Sequence, residues 1–182
     1  MAERYDLDEL ARAHRLADWM FEQCRPLVAG ETAEVGAGIG TFSERLLCAG
    51  ATRLLLLEPD PELAAELERR FGADPRVELV RESVPGSAAL ARAAGGFGFV
   101  LCQNVLEHVR DDAGAAAELA AALRPGGRLG LLVPAHPRLF GSLDRAYGHE
   151  RRYTRERLER LIRGAGLELE ELRSFNLLGV AS

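Results

Sequence analysis

The sequence predicts an α/β fold, a doubly wound and mostly parallel sheet with helices on both faces. Short apolar runs of strand length alternate with helical stretches along the chain, which is the pattern of βαβ units. A glycine-rich turn, GAGIG, joins the first of these runs to the next helix. The chain has 182 residues, of which 47% are apolar and 28% charged, so a single domain with an ordinary core is expected.

Each element has its own local signal. Apolar residues at intervals of three and four predict an amphipathic helix over 8–28, ended by Pro26, with residues 19–21 on its packing face. Pro59-Asp60-Pro61 opens a helix over 61–71, because Asp suits the cap and Pro the first helical position. The other predicted helices cover 42–49, 88–94, 111–123 and 155–165, and the predicted strands cover 32–35, 53–58, 77–80, 97–102, 129–133 and 167–175.

The composition excludes several functions. The net charge is −5, whereas a nucleic-acid surface is usually basic, so no nucleic-acid partner is expected. All 23 basic residues are Arg, which excludes phosphate-binding and Schiff-base lysines. No apolar run reaches the ~18–20 residues of a membrane span and the polar start is unlike a signal peptide, so a cytoplasmic protein is expected. The three cysteines lack CxxC spacing, which predicts buried structural thiols and no metal.

The candidate site lies at the strand exits, because ligands of open parallel sheets bind outside the carboxyl ends of the strands. The GAGIG turn at 36–40 lets the backbone approach a ligand closely, and Glu34 precedes it. Glu58 ends the second strand, 18 residues beyond Gly40, where a carboxylate can accept hydrogen bonds from both hydroxyls of a ribose. This pair of features favours an adenosine-type ligand. Because GxGxG differs from the GxGxxG of dinucleotide sites, NAD is disfavoured.

Three segments together resemble the class I S-adenosylmethionine-dependent methyltransferases, within them the group related to ubiquinone and menaquinone biosynthesis enzymes. They are EVGAGIG, LLLLEPD, and NVLEHVRDD followed by LRPGGRLGLLVP, and the resemblance covers residues 30–175. It implies a Rossmann-like, three-layer α/β/α fold that binds S-adenosylmethionine and releases S-adenosylhomocysteine. It also implies in-line methyl transfer to an oxygen, nitrogen or carbon nucleophile of a small-molecule acceptor.

With this resemblance, the chain divides into four parts of one methyltransferase domain, residues 1–182. The parts are an N-terminal helical segment at 1–29, a cofactor-binding core at 30–133, an acceptor loop at 134–154, and a C-terminal helix and strand at 155–182. The cofactor-binding residues that the resemblance implies are Glu34, Gly36, Ala37, Gly38, Gly40, Glu58, Pro59, Ser83, Gln103 and Asn104.

The resemblance also implies what these residues contact. The three glycines line the methionine and ribose part of the cofactor, Glu34 holds the amino end, and Glu58 binds the ribose hydroxyls. Pro59 and Asp60 lie beside the adenine, while Gln103 and Asn104 flank the methionine.

Two positions depart from the family pattern. Ser83 stands where the family commonly has an acidic residue at the adenine amino group, although Glu82 precedes it. Gly98 stands where the family often has Asp. The first departure affects the expected adenine contact, and the second affects a support of the loop after that strand.

The acceptor loop is expected to cover the acceptor pocket, because loops of that length are usually functional. His149 and His108 are the catalytic candidates, with His149 as the base for an acceptor hydroxyl. Glu107 and His136 are further ionisable groups there. The segment 151–153, Arg-Arg-Tyr, either clamps an anionic acceptor or is a basic helix entry that pairs with Glu150 and Glu156.

Two other functions remain open: a catalytically silent homologue that binds the cofactor or a partner, and an NAD-linked oxidoreductase. The latter is disfavoured by GxGxG and by the lack of any Tyr-x-x-x-Lys. Tyr5 is expected to close over the cofactor if the N-terminal segment folds across it.

The C-terminal edge of the sheet carries a further expectation. The family's sheet has seven strands, whereas six are predicted here, so an apolar edge is left without a partner. We therefore expect either a piece of a longer protein or a homodimer in which a second copy covers this edge. Residues 175–180 are then poorly ordered in a monomer or buried against a neighbour.

Overall fold

The computed structural model describes residues 14–174, which form one five-stranded sheet with helices on both faces. The strands are β1 (Glu31–Val35), β2 (Arg53–Leu57), β3 (Val77–Val80), β4 (Phe97–Gln103) and β5 (Leu123–Leu132). The helices are α1 (His14–Glu22), α2 (Thr41–Cys48), α3 (Pro61–Phe71), α4 (Ala88–Arg92), α5 (Asp112–Ala122), α6 (Ser142–Ala146) and α7 (Arg155–Gly164). The predicted α/β class is confirmed.

The order of the strands positions the site. It is β3-β2-β1-β4-β5, and every pairing is parallel. β1 lies at the centre, with Val35 opposite Leu57 of β2 on one side and Cys102 of β4 on the other. The chain runs outward from β1 to β3 and then crosses back to β4. A crevice therefore opens at the carboxyl ends of β1 and β4, where open α/β sheets bind their ligands.

Two apolar layers hold the sheet, one on each face. In β2, Leu55 and Leu57 enter one layer, whereas Leu54 and Leu56 enter the other. Because both faces are buried, this strand is a continuous apolar run rather than an alternating one. The first layer includes buried residues of α4, α5 and α7, and the second includes those of α1, α2 and α3.

The N-terminal helix is shorter in the structure than the sequence predicts. α1 ends at Glu22, and Pro26 lies in a separate 3-10 turn. Phe21 packs into the second layer, but Trp19 is 45% exposed, so its predicted place on the packing face is wrong. Residues before 14, including Tyr5, lie outside the described residues.

Two expectations from composition are also tested by the structure. Cys24 and Cys102 are buried, but Cys48 is exposed at the end of α2, so the prediction of three buried thiols is wrong there. Between residues 14 and 174 the structure has no helix with the length and apolarity needed to cross a bilayer.

β5 begins six residues earlier than predicted, because the RPGG segment at 124–127 forms a bulge within the strand. The partners of Phe97 and Phe99 are Leu123 and Arg128, so the register shifts between them. A Cβ at Gly127 would lie 2.8 Å from the Phe97 carbonyl, which requires glycine there. At Gly98 a Cβ would overlap the carbonyl of Ala29, so this backbone also excludes the family's Asp.

The predicted sixth strand, 167–175, is wrong for the residues that the structure describes, since 167–174 form no strand. Leu167 and Leu172 nevertheless pack against the first layer. Side chains rather than a backbone ladder hold the segment: Arg128 donates to Glu170 at 2.9 Å and Arg173 donates to Gln23 at 2.8 Å. Apolar alternation sets which side chains face the core, but it cannot supply a pairing strand. Residues 175–180 lie outside the described part of the chain.

Candidate active site

A cavity of about 1100 Å³ lies at the carboxyl ends of β1, β2 and β4. Nine of the ten predicted cofactor-binding residues line it, together with both catalytic candidates, His108 and His149. The exception is Gly40, which begins α2 with a φ of 82°. A Cβ at Gly40 would overlap the Phe71 ring and lie 2.9 Å from Leu67. Gly40 is therefore needed for packing against α3.

The glycine turn is tied to the end of β2. The backbone N–H groups of Gly36 and Ala37 donate to the Leu57 carbonyl at 2.9 and 3.1 Å. Gly36 and Gly38 have φ values of 75° and 57°, in the left-handed region that favours glycine. A Cβ on Gly36 would also overlap the Val105 side chain. The turn thus needs glycine at both positions, and its backbone forms the cavity wall.

Glu58 is a buried carboxylate with a fixed orientation. It is 5% exposed and accepts hydrogen bonds from the N–H of Gly38 at 2.8 Å and of Asp60 at 3.0 Å. Asp60 in turn accepts from the N–H groups of Glu62 and Leu63 at the start of α3. One carboxylate therefore connects the exits of β1 and β2 at the cavity wall.

Glu34 is a second buried acid of the cavity wall, 4% exposed near the end of β1. The Ser43 hydroxyl donates to it at 2.5 Å. Burial raises the pKa of Glu34 to about 8, and the charge of Glu58 adds to this, while the Ser43 hydrogen bond opposes it. A cationic group in the cavity would favour the ionised form of Glu34.

The exit of β3 carries Glu82 and Ser83, which both line the cavity. Glu82 accepts from the Ser87 hydroxyl at 2.6 Å and from the N–H of Ala89 at 2.9 Å. These bonds lower the pKa of Glu82 and direct its carboxylate to the start of α4. Ser83 is exposed and lines the cavity. Its hydroxyl is therefore the group that faces the cavity where the resemblance implies a carboxylate.

The exit of β4 supplies the far wall. Gln103 and Asn104 both line the cavity, and Asn104 has a φ of 50°. Glu107 is 1% exposed, and burial raises its pKa to about 8. The ring of His108 meets that of His149 edge to face, with 4.8 Å between centroids.

The acceptor loop has an ordered centre at Asp144, which is 1% exposed. Arg152 donates to it through Nε at 2.6 Å and Nη2 at 3.0 Å, the Gly141 N–H donates at 2.8 Å, and His149 Nδ1 lies 3.0 Å away. Burial alone would raise the pKa of Asp144, but these hydrogen bonds outweigh it and hold the pKa well below its ordinary value. Asp144 thereby fixes the position of His149.

The acceptor loop is also bonded to the loop after β4. The Glu150 N–H donates to the Glu107 carbonyl at 2.7 Å. The buried Tyr153 hydroxyl lies 3.1 Å from the Leu106 carbonyl and 3.0 Å from Asp112 Oδ2. The two loops form one continuous wall of the cavity.

With this geometry established, comparison with known proteins gives the family. A family model described as a methyltransferase domain matches residues 10–172. The chain belongs to this methyltransferase family. Among the curated relatives, the ubiquinone biosynthesis O-methyltransferase of Bordetella avium is 31% identical over 112 residues, which cover 60% of this chain and 45% of that protein. The chain spans less than half the length of that relative.

Solved structures show that the methyltransferase has the fold of its class. An S-adenosylmethionine-dependent methyltransferase from Mesorhizobium loti superposes with a TM-score of 0.72 at 19% identity, covering 87% of this chain and 84% of that one. The trans-methyltransferase CalH, solved with S-adenosylhomocysteine, superposes with a TM-score of 0.62 at 19% identity, covering 85% and 52%. The methyltransferase family and the Rossmann-like fold that the sequence predicts are thus confirmed.

The expected pairing of the arginines at 151–153 with Glu150 and Glu156 is wrong, whereas the anion clamp stays a prediction. Arg152 pairs with Asp144, and Arg151 donates to the carbonyls of Val109 and Arg110 and lies 3.5 Å from Asp112. Glu150 instead pairs with Arg110, at 3.2 Å. These partners are brought together only by the tertiary fold, so no local pattern indicates them.

The structure also sorts the remaining candidates. His136 does not line the main cavity; it lines a second one of about 510 Å³ beside β5. Asp144 was not singled out from the sequence at all. Its position in α6 gives it no periodic relation to His149 or Arg152, and the acidic residue before an Arg resembles an ordinary surface pair.

Proposed function

We propose that this methyltransferase transfers a methyl group from S-adenosylmethionine to a small-molecule acceptor. The observation that supports this most directly is the buried Glu58 carboxylate, held by two backbone N–H groups at the cavity wall. A carboxylate fixed at the end of the second strand suits two ribose hydroxyls as donors.

The acidic residues of the cavity fit the charge of this cofactor, which carries a sulfonium and an ammonium group. Glu34 would hold the amino end, and Gly36, Ala37 and Gly38 would let the methionine part approach the backbone. Pro59 and Asp60 would lie beside the adenine with Ser83, while Gln103 and Asn104 would flank the methionine. All of them line the cavity.

The size of the cavity suits two ligands side by side. Its volume of about 1100 Å³ exceeds the roughly 300–1,000 Å³ of a typical single-ligand site. The cofactor would occupy the end formed by β1 and β2. The acceptor would occupy the other end, between Glu107, His108 and the acceptor loop.

The bound cofactor supplies an activated methyl carbon, which passes to the acceptor while the C–S electrons stay on sulfur. The chain's own task is alignment of the nucleophile at about 3–3.5 Å from that carbon. For a hydroxyl acceptor, His149 is the candidate base, with Asp144 orienting its ring and His108 beside it. The relative's name, an O-methyltransferase, favours oxygen as the nucleophile.

Calorimetry tests the proposal. The wild-type chain is titrated with S-adenosylhomocysteine and, separately, with NAD. We expect saturable one-to-one binding of the first and none of the second. Binding of NAD alone would support the oxidoreductase alternative and overturn the proposal.

Labelled S-adenosylmethionine with pools of hydroxylated, amino and carbon acceptors then tests transfer. Methyl transfer to a small molecule supports the enzyme. Cofactor binding without transfer to any pool would favour a silent homologue.

We also propose that the partner at the C-terminal edge is a second copy of this chain. Within the described residues β5 pairs with β4 alone, so its other side is left without a strand. The net charge of −5 supports the expectation that nucleic acid is not a partner.

A further inference from the structure

Three side chains that can ligate a metal meet at the acceptor end of the cavity. Glu107 and His108 follow β4, and His149 follows α6. One ligand atom of each lies within 4.8 Å of the others. Ligand atoms 2.0–2.2 Å from a metal ion lie roughly 3.3 Å apart. Rotation of the side chains would bring the three ligand atoms to that separation.

Glu107 Oε2 is the atom that points to a missing ligand. The residue is 1% exposed, and Oε2 has no hydrogen-bond partner. Among the residues that the structure describes, it is the one buried side-chain oxygen or nitrogen without a hydrogen-bond partner. Native structures pair such atoms, and an exception calls for an ion, a water or a functional reason. A cation at this oxygen would satisfy it.

His149 is already oriented as metal-binding histidines usually are. Its Nδ1 lies 3.0 Å from Asp144 Oδ1, and Asp144 is itself fixed by Arg152. With Nδ1–H donating to the carboxylate, the lone pair at Nε2 is the one that can bind a metal. Carboxylate-to-histidine support of this kind fixes both the ring and the tautomer at metal sites.

The two loops that carry the ligands are fixed relative to each other. The Glu150 N–H donates to the Glu107 carbonyl at 2.7 Å, and Tyr153 reaches the Leu106 carbonyl at 3.1 Å. These two hydrogen bonds thus join the loop that carries Glu107 and His108 to the loop that carries His149. Rigid support of this kind is what a metal site requires of its surroundings.

We propose that Glu107, His108 and His149 bind one divalent transition-metal ion at the acceptor end of the cavity. Two imidazoles and one carboxylate suit Zn²⁺ or Fe²⁺ better than Mg²⁺ or Ca²⁺, which prefer oxygen ligands. Three protein ligands leave coordination positions open, as in catalytic rather than structural sites. The sequence predicts no metal, because it has no cluster of His, Cys and Asp at ligand spacing, and His149 lies 41 residues after His108.

The role of this ion rests on the proposed function. An acceptor hydroxyl at an open coordination position would have a lowered pKa and would release its proton to solvent more readily. His149 Nε2 is then a ligand rather than the base. The acceptor class that fits is a molecule with a free hydroxyl group.

The experiment is a titration of metal-stripped protein with Zn²⁺ by calorimetry, with Co²⁺ as a second probe read by its visible absorption. A Cys48→Ser background removes the exposed thiol as a competing ligand. We expect one ion per chain. Glu107→Gln, which is nearly isosteric, and His149→Ala should each weaken binding at least tenfold. His136→Ala, a histidine outside the cluster, should leave it unchanged.

Asp144→Asn changes the carboxylate that orients His149 into an amide. Loss of such a partner costs about 10–100-fold in metal affinity, so this variant should bind Zn²⁺ more weakly although all three ligands remain. Absence of saturable binding, or binding that survives both Glu107→Gln and His149→Ala, would overturn the metal site.

S-adenosylhomocysteine is titrated into the same metal-stripped samples. If S-adenosylhomocysteine binds but Zn²⁺ does not, the metal site is refuted and the proposed function stands. Failure of S-adenosylhomocysteine to bind refutes the proposed function instead, whatever Zn²⁺ does.

Discussion

At the scale of single residues, Glu58 carries the sharpest expectation. Replacing it with Ala removes charge-assisted hydrogen bonds worth roughly 1.5–3 kcal/mol, so affinity for S-adenosylhomocysteine should fall at least about tenfold. Glu171→Ala, an exposed glutamate outside the cavity, is the matched control and should bind normally. Unchanged affinity in folded Glu58→Ala protein would refute the ribose assignment.

Gly38 tests whether the glycine turn binds the cofactor or only turns the chain. Gly38→Val strains a φ of 57° and places a branched side chain at the cavity wall, so binding of S-adenosylhomocysteine should be lost. Gly95→Val is the control, because Gly95 has a φ of 72° but open space around it and no place in the cavity. Both variants should lose stability, yet only the first should lose binding; equal binding would make the turn purely structural.

Glu34 predicts a pH dependence of stability. Its pKa is about 8 in the folded state against an ordinary 4.5, so between these values the folded chain binds more protons than the unfolded one. The free energy of unfolding should therefore fall as pH rises from 4.5 to 8, by up to about 1.4 kcal/mol per pH unit for this group.

Denaturant titrations of the ligand-free protein across that range test the expectation. Glu34→Gln should give a shallower slope than wild type, with some slope left because burial also raises the pKa of Glu107 to about 8. Glu31→Gln, which changes a half-buried glutamate of the same strand, should keep the wild-type slope. An identical slope in Glu34→Gln would show that this carboxyl titrates normally.

At the scale of elements, the Tyr153 hydroxyl is one of several groups that attach the acceptor loop to the β4 exit. Tyr153→Phe removes the donor that reaches the Leu106 carbonyl and Asp112, and should cost about 1–3 kcal/mol in unfolding free energy. Since the contact lies at the end of the cavity that we propose for the acceptor, KM for the acceptor should rise while affinity for S-adenosylhomocysteine stays the same. A parallel loss of cofactor affinity would contradict this separation.

The elements that the sequence predicts best are those with signals at their own ends. α3 runs over Pro61–Phe71 as predicted, because Asp60 caps it and proline suits its first position. The start of β5 is predicted too late, because a proline and two glycines, which are typical of a helix end, lie in a bulge of the strand. α6 was missed, because a five-residue helix has too few turns for an apolar period.

At the scale of the whole molecule, the open side of β5 predicts self-association. Light scattering should give a mass of about twice 19.8 kDa. An unpaired strand edge favours pairing with another strand, which a second copy can supply. A monomer at all concentrations would contradict the homodimer.

The site divides into a part that could be predicted and a part that could not. Glu34, Gly38 and Glu58 follow from parallel topology, because strand exits converge at one edge of the sheet. The cluster of Glu107, His149 and Asp144 depends on how the acceptor loop folds back on the β4 exit. The position of the loop is set by hydrogen bonds between residues far apart in the sequence, and no local sequence pattern predicts them.

The bonding of the acceptor loop to the β4 exit has a consequence for exchanging parts between relatives. Every cofactor contact proposed above comes from residues 34–104, whereas six residues that line the end proposed for the acceptor come from one contiguous stretch, 134–154. A transplanted stretch could therefore confer a new substrate preference on an unchanged nucleotide pocket. The graft would have to include Tyr153 together with Arg151, whose guanidinium reaches the Val109 carbonyl. A transplanted stretch that ended before these two residues would lack the bonds that hold it against the β4 exit. It would then fail because the loop is misplaced, even if its cavity-lining side chains suit the new substrate.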